Sequence, residues 1–190
     1  MKYKICVSGA AVNICGPKME KLSFEVGKEI ARQGQVLVNG ATTGLPATAA
    51  RGAKRAGGVC IGFSPAMNPK EHTRKYRLPT EDLDLIVYTG FGYSGRNLFL
   101  IRSADAVIFV CGRIGTLNEF TSAFEDKKPI GVLLGSGGTT EYIDDVIRTA
   151  KRGTGHVIYD ADPKMLVKRL IKLIDEDYQN HKRFRKGKGG

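Results

Sequence analysis

Short runs of apolar residues alternate along this chain with stretches whose apolar positions recur every three or four residues. The first run, 3–8 (YKICVS), predicts a strand ending at Gly9. Residues 18–33 put Met19, Leu22, Val26 and Ile30 on one side, which predicts an amphipathic helix stopped by Gly34. A strand at 35–39 (QVLVN) leads through the turn GATTG into an Ala- and Arg-rich helix over 46–57, with Pro46 in its first turn. Further strands are predicted at 58–63, 84–88, 105–110, 129–134 and 156–159. Between the later ones, helices are predicted near 95–103 and 116–126 and around Ile143, Val146, Ile147 and Ala150. Leu166, Leu170, Leu173 and Ile174 mark a closing helix. Residues 64–82 have no period; with Pro65, Pro69, Pro79 and the basic stretch KEHTRKYR they read as a long surface loop.

Strands that are apolar nearly throughout, each followed by a helix, predict a parallel sheet covered on both faces. The fold class is therefore α/β, a doubly wound sheet of six or seven strands, with a single domain over 1–180. A chain of 190 residues can bury roughly 70% of its unfolded surface and needs no disulfide staple.

Composition adds two points. Glycine is in excess, 24 residues, so the chain has many tight turns or lets backbone come close to a ligand. The net charge is +11, and residues 181–190 (HKRFRKGKGG) carry five of those charges, leaving +6 for the rest. Such a tail reads as a separate basic, disordered segment that solubilises the protein or touches nucleic acid non-specifically. The remaining charge suits an anionic small ligand as well as it suits an anionic polymer.

The four cysteines, at 6, 15, 60 and 111, have no C-x-x-C spacing, and no histidine stands at zinc-finger distance, so no metal site is predicted. Cys6 and Cys60 lie in apolar runs and read as buried free thiols. The start, MKYKICVSG, does not form a secretory signal, and no apolar run approaches the ~18 residues of a membrane span. A reducing cytoplasm is the expected location, with no membrane partner.

In a doubly wound sheet, ligands bind beyond the carboxyl ends of the strands where strand order reverses. Three glycine-containing turns fall at strand ends: 8–13 (SGAAVN), 39–44 (NGATTG) and 111–116 (CGRIGT). Each precedes a predicted helix, whose unpaired N–H groups suit a phosphate. The candidate binding positions are Ser8, Gly9 and Ala10 in the first turn and Gly40, Ala41, Thr42, Thr43 and Gly44 in the second. Gly112, Arg113, Ile114, Gly115 and Thr116 are those of the third. The dinucleotide fingerprint G-x-G-x-x-G is missing after the first strand, and GATTGLPAT lacks the lysine of a P-loop.

Arg96 and Glu119 form the sharpest constellation. Each stands near the start of a predicted helix, and if their strands are neighbours both face one crevice. A bland alternative exists for the glutamate: Thr116-Leu117-Asn118-Glu119 fits T-x-x-E, a helix capping box with no function.

The segment TGFGYSGRNLFLIRSADAVIFVCGRIGTLNEF (89–120) resembles the LOG family, named after the plant LONELY GUY cytokinin-activating enzymes. It is most similar to the branch of the molybdenum-cofactor carrier proteins. The family hallmark P-G-G-x-G-T-x-x-E is matched by Cys111 to Glu119, with Arg96-Asn97 as its Arg-Asn pair. The second family turn is matched by Gly40 to Pro46, and GAKRAGG (52–58) fits the segment after it. Cys111 stands in place of Pro, Arg113 and Ala41 in place of Gly, and Pro46 in place of Met.

The resemblance covers about 3–175. It implies a Rossmann-like domain, a homodimer or higher homo-oligomer, and hydrolysis of the N-glycosidic bond of a nucleoside 5′-monophosphate such as AMP, giving free base and ribose 5-phosphate. Arg96 and Glu119 would be its catalytic residues, with Asn97 and the turns holding the nucleotide and no cofactor needed. The alternative it implies is a non-catalytic carrier or sensor of a phosphorylated ligand such as AMP or molybdenum cofactor.

Overall fold

The computed structural model describes residues 2–12 and 15–186, with side chains as far as Gln179. Seven parallel strands form one sheet: β1 (Lys4–Gly9), β2 (Val36–Asn39), β3 (Val59–Ser64), β4 (Leu85–Tyr88), β5 (Ala106–Val110), β6 (Ile130–Leu133) and β7 (Val157–Asp160). Their order is β4-β3-β2-β1-β5-β6-β7. The chain builds outward from β1 to the β4 edge, returns to place β5 beside β1, and builds outward again. Strand order therefore reverses between β1 and β5, where Gly9 is level with Val110.

Six helices cover the sheet: α1 (Gly16–Arg32), α2 (Leu45–Arg55), α3 (Gly92–Ser103), α4 (Ile114–Glu125), α5 (Ile143–Ala150) and α6 (Pro163–Lys186). Alternation along the strands sorts the core into two layers. Ile5, Val7, Ile108 and Val110 pack under α1, α2 and α6 through Val26, Ile30, Ala49, Leu166 and Leu170. Cys6, Val107 and Phe109 point the other way, onto Leu100, Ile101, Phe120 and Ile143 of α3, α4 and α5. Phe109 and Phe120 are fully buried and meet edge-to-face, 5.8 Å between ring centroids. Each contributes about 1.5–3 kcal/mol by burial.

Helices α1 and α2 touch through backbone. A Cβ on Gly27 would collide with the carbonyl oxygen of Ala49, and one on Gly52 with that of Phe24. A carbonyl in a helix cannot rotate away, so the helices must separate. Gly27→Ala is expected to destabilise the fold by about 1–3 kcal/mol, the usual cost of overpacking. The corresponding fall in thermal midpoint is about 2–4 °C per kcal/mol, read by far-ultraviolet circular dichroism.

Two sequence expectations are adjusted here. The 64–82 segment contains a short π-helical turn, Glu71–Lys75. It is pinned by the fully buried His72, whose ring nitrogens meet Ser64 Oγ at 2.8 Å and the Pro79 carbonyl at 2.9 Å. The closing helix also runs much further than its apolar stripe, to Lys186, into the segment read as a disordered tail; residues 187–190 lie outside the described residues. Among the described residues, no helix is long and apolar enough to cross a membrane.

Candidate functional site

A cleft of about 660 Å³ opens at the carboxyl end of the sheet, over the β1/β5 reversal. Its floor is the end of β1, where Ser8, Gly9 and Ala10 line it. Gly40 and Thr42 enter from the turn after β2, and Gly112, Arg113, Ile114, Gly115 and Thr116 from the turn after β5 and the start of α4. Arg96, Asn97 and Glu119 complete the set read from the sequence.

Three predicted positions do not line the cleft; they shape it. Ala41 is buried with φ +48°, held by its N–H bond to Asn39 Oδ1 at 2.9 Å. This positive φ is one that glycine adopts without cost. Thr43 Oγ1 donates to the Ala11 carbonyl at 2.6 Å, and Gly44 packs so closely against the backbone of Ala10 and Ala11 that a Cβ would collide there. These contacts clamp the first turn to the second.

Helix α4 starts at Ile114, two residues earlier than its apolar pattern indicates. Arg113 is its N-cap, and the Arg113 N–H donates to Thr116 Oγ1 at 3.3 Å. The Thr116–Glu119 capping box is therefore corrected: Thr116 closes the cap, and Glu119 sits a turn deeper, its side chain free of capping. The Ile114 and Gly115 N–H groups have no intrahelical acceptor. Both residues are exposed and line the cleft, the arrangement an anion-binding helix start would need. The Arg113 side chain is exposed at the same edge.

Arg96 and Glu119 share the cleft, but not for the reason the sequence suggested. Their strands, β4 and β5, are not neighbours; three strands separate them. Helix α3 is the return crossover from the β4 edge, and it lies alongside α4, joined by Asn97 Nδ2 donating to Asn118 Oδ1 at 3.0 Å. That crossover carries Arg96 over the sheet. Arg96 is its fifth residue and is 5% exposed.

The Arg96 Nη1 donates to the carbonyls of Gly40 and Phe63, the latter at 3.1 Å, and its Nε is buried without a hydrogen-bond partner. The Tyr93 ring stands 5.9 Å from the guanidinium carbon. Glu119 is also buried, and accepts a hydrogen bond from Ser8 Oγ. Ser8 thus supports the glutamate rather than offering its hydroxyl freely to a phosphate. Burial pushes the Glu119 carboxyl above its ordinary range, opposed by the Arg96 charge and the Ser8 bond. Burial pulls the Arg96 guanidinium down, opposed first by Glu119.

A fourth glycine turn escaped the sequence reading. GSGGTTEY (135–142) follows β6 and supplies Gly138, Thr139, Glu141 and Tyr142 to the cleft. Thr139 N–H donates to the Gly112 carbonyl at 2.9 Å, and Cys111 N–H donates to Ser136 Oγ at 2.9 Å. Its position at the end of an apolar run was the available signal. In a chain long enough to need no disulfide, Cys15 and Cys111 nevertheless form one, with Cα atoms 6.5 Å apart. They lie 96 residues apart, and only the adjacency of β1 and β5 brings them together. Cys6 and Cys60 are buried free thiols, as their apolar runs indicated.

A family model, the SLOG cluster4 family, matches residues 2–167. An uncharacterized protein of Archaeoglobus fulgidus is 32% identical over 119 residues, which is 63% of this chain and 73% of that protein. Among solved structures, the molybdenum cofactor binding protein of Rippkaea orientalis is 27% identical, with a TM-score of 0.75 over 92% of this chain and 98% of its own. The molybdenum cofactor carrier protein of Chlamydomonas reinhardtii is 26% identical, with a TM-score of 0.74 over 92% and 99%.

Proposed function

This chain belongs to the SLOG cluster4 family, and we propose that its cleft binds a phosphorylated heterocyclic small molecule and holds it without breaking it, as a carrier of the molybdenum-cofactor type. The observation that carries this reading is the burial of Glu119. A glycosidase transition state develops positive charge on the sugar and needs an ionised carboxylate beside it. Here burial favours the neutral acid, which both donates and accepts hydrogen bonds. A neutral carboxyl suits the amide and amine edge of a pterin or purine. The exposed N–H groups of α4 and the Arg113 cation suit its phosphate. Tyr93 and Tyr142 line the cleft and are exposed enough to lie against a ring. A homodimer is part of the proposal, supported by Phe91, Leu98 and Phe99, which stand exposed on and beside α3.

A second reading, phosphoribohydrolase, is favoured by the meeting of Arg96 and Glu119 in one cleft. An ionised Glu119 would then stabilise the oxocarbenium-like sugar while Arg96 steadied the leaving base. One experiment separates the two. The protein is incubated with AMP and, anaerobically, with molybdopterin, while ligand-dependent thermal stabilisation and release of free adenine are followed. Saturable stabilisation with no adenine is the expected result. Catalytic release of adenine, lost in Glu119→Gln, would establish the hydrolase instead. Stabilisation by neither ligand would overturn both readings.

A further inference from the structure

The geometry points to the Cys15–Cys111 pair as a thiol–disulfide exchange site that latches the cleft and opens it to a dithiol reductant. This rests on where the bond lies, independently of which ligand the cleft takes. Cys15 stands at the start of α1, which follows β1 in the chain; Cys111 begins the turn that leaves β5. The bond therefore crosses the reversal in strand order, joining two of the turns that build the cleft.

Cys111 is coupled to the cleft at four points. Its carbonyl accepts from Ala10 N–H at 3.1 Å, and its N–H is held by Ser136. The next residue, Gly112, opens the edge that includes Ile114 and Gly115. The Cys111 sulfur lies against Gly138, where a Cβ would come within 3.0 Å of it. Cys111 also holds φ +37°, a conformation disfavoured outside glycine, so the surrounding bonds hold it in place. Release of the disulfide lets this turn relax.

The pair is chemically set apart from the other thiols. Cys6 and Cys60 are buried inside strands, and burial pushes the Cys60 thiol up to about 12. Cys15 is half-buried, whereas Cys111 is 1% exposed. Attack therefore falls on Cys15. A thiolate of the reductant bonds to Cys15 Sγ, and Cys111 leaves as thiolate and takes up a proton. The second thiol of the reductant then attacks its own sulfur in the mixed disulfide and releases Cys15. Two electrons and two protons pass to the protein, and the reductant becomes its disulfide. A low-molecular-weight disulfide reverses the sequence.

The test is hydrogen exchange on the oxidised full-length protein, on the same protein treated with dithiothreitol or thioredoxin under native conditions, and on Cys15→Ser/Cys111→Ser. Thiol alkylation before unfolding scores the reduction. The hydrogen-bonded amides of Ala10, residue 111 and Thr139 are expected to exchange at least tenfold faster after reduction and in the double variant, while those inside β1 and β5 stay protected. A bond that yields only when the protein unfolds would make it a structural staple and overturn the proposal. So would clean reduction that leaves exchange unchanged. AMP and inorganic phosphate binding are measured in both states. If exchange responds and neither binds, the latch stands and the nucleotide reading of the cleft falls.

Discussion

Alanine in place of Gly40 is expected to lower the affinity of the cleft for the phosphorylated ligand proposed for it by roughly 10- to 100-fold while leaving the protein folded. Gly40 has no positive φ, so alanine suits its backbone. What it lacks is room, because the new Cβ would fall on Arg96 Nη1. Nη1 is bonded to the Gly40 and Phe63 carbonyls, and the whole side chain is packed with little exposure. It must swing out of the floor to admit a methyl group. One hydrogen bond from the displaced guanidinium to the ligand is worth about 1.5–3 kcal/mol, which at ~1.4 kcal/mol per decade gives the expected loss. Arg96→Lys should fall between, since an ammonium lacks the planar fork that meets two carbonyls at once. Calorimetric titration reads the affinity and a thermal scan confirms the fold. Wild-type affinity in Gly40→Ala would show that Arg96 only supports the turn after β2.

The same cleft explains what could and could not be read along the chain. Strands and helices were legible because burial on both faces makes a parallel strand apolar throughout, and each amphipathic helix repeats near 3.6. Every predicted strand appears within a residue or two of its place. The three glycine turns were legible because strand ends next to helix starts are few. Strand order was not, and with it went the reason for the Arg96–Glu119 meeting. Nothing in the sequence around Arg96 says that α3 returns across the sheet to lie on α4. The disulfide was hidden for the same reason, since it follows from β1 and β5 being adjacent rather than from any spacing. Glu119 was misplaced within its helix because T-x-x-E is satisfied by local sequence alone. The helix instead starts at Ile114, with Arg113 supplying the cap, and this turns a capping glutamate into a buried one.

Glu119→Gln is expected to make the protein more stable at neutral pH, and to do so in a pH-dependent way. In the unfolded chain the carboxyl loses its proton near its ordinary value of 4.5; in the fold, burial holds the proton to higher pH. Between those values the native state binds more protons than the unfolded one, so stability falls as pH rises. The contribution is fully present below 4.5 and is lost as pH rises through the folded value. Above both, the fold carries a charge whose burial outweighs the help of Arg96 and Ser8. Glutamine keeps the shape and can still accept from Ser8 Oγ, but it has no proton to lose. The thermal midpoint of the variant should pull ahead of wild type from pH 4.5 upward, by about 2–4 °C for each kcal/mol recovered. In Ser8→Ala the fall should begin no earlier and extend to higher pH, because the lost bond favoured the carboxylate. Ligand affinity at neutral pH should change only a few-fold in Glu119→Gln if the carboxyl recognises the ligand as a neutral group. A variant less stable than wild type at every pH would mean that Arg96 holds Glu119 ionised. The carboxylate demanded by glycosidic cleavage would then be present, and the carrier reading would lose its main support.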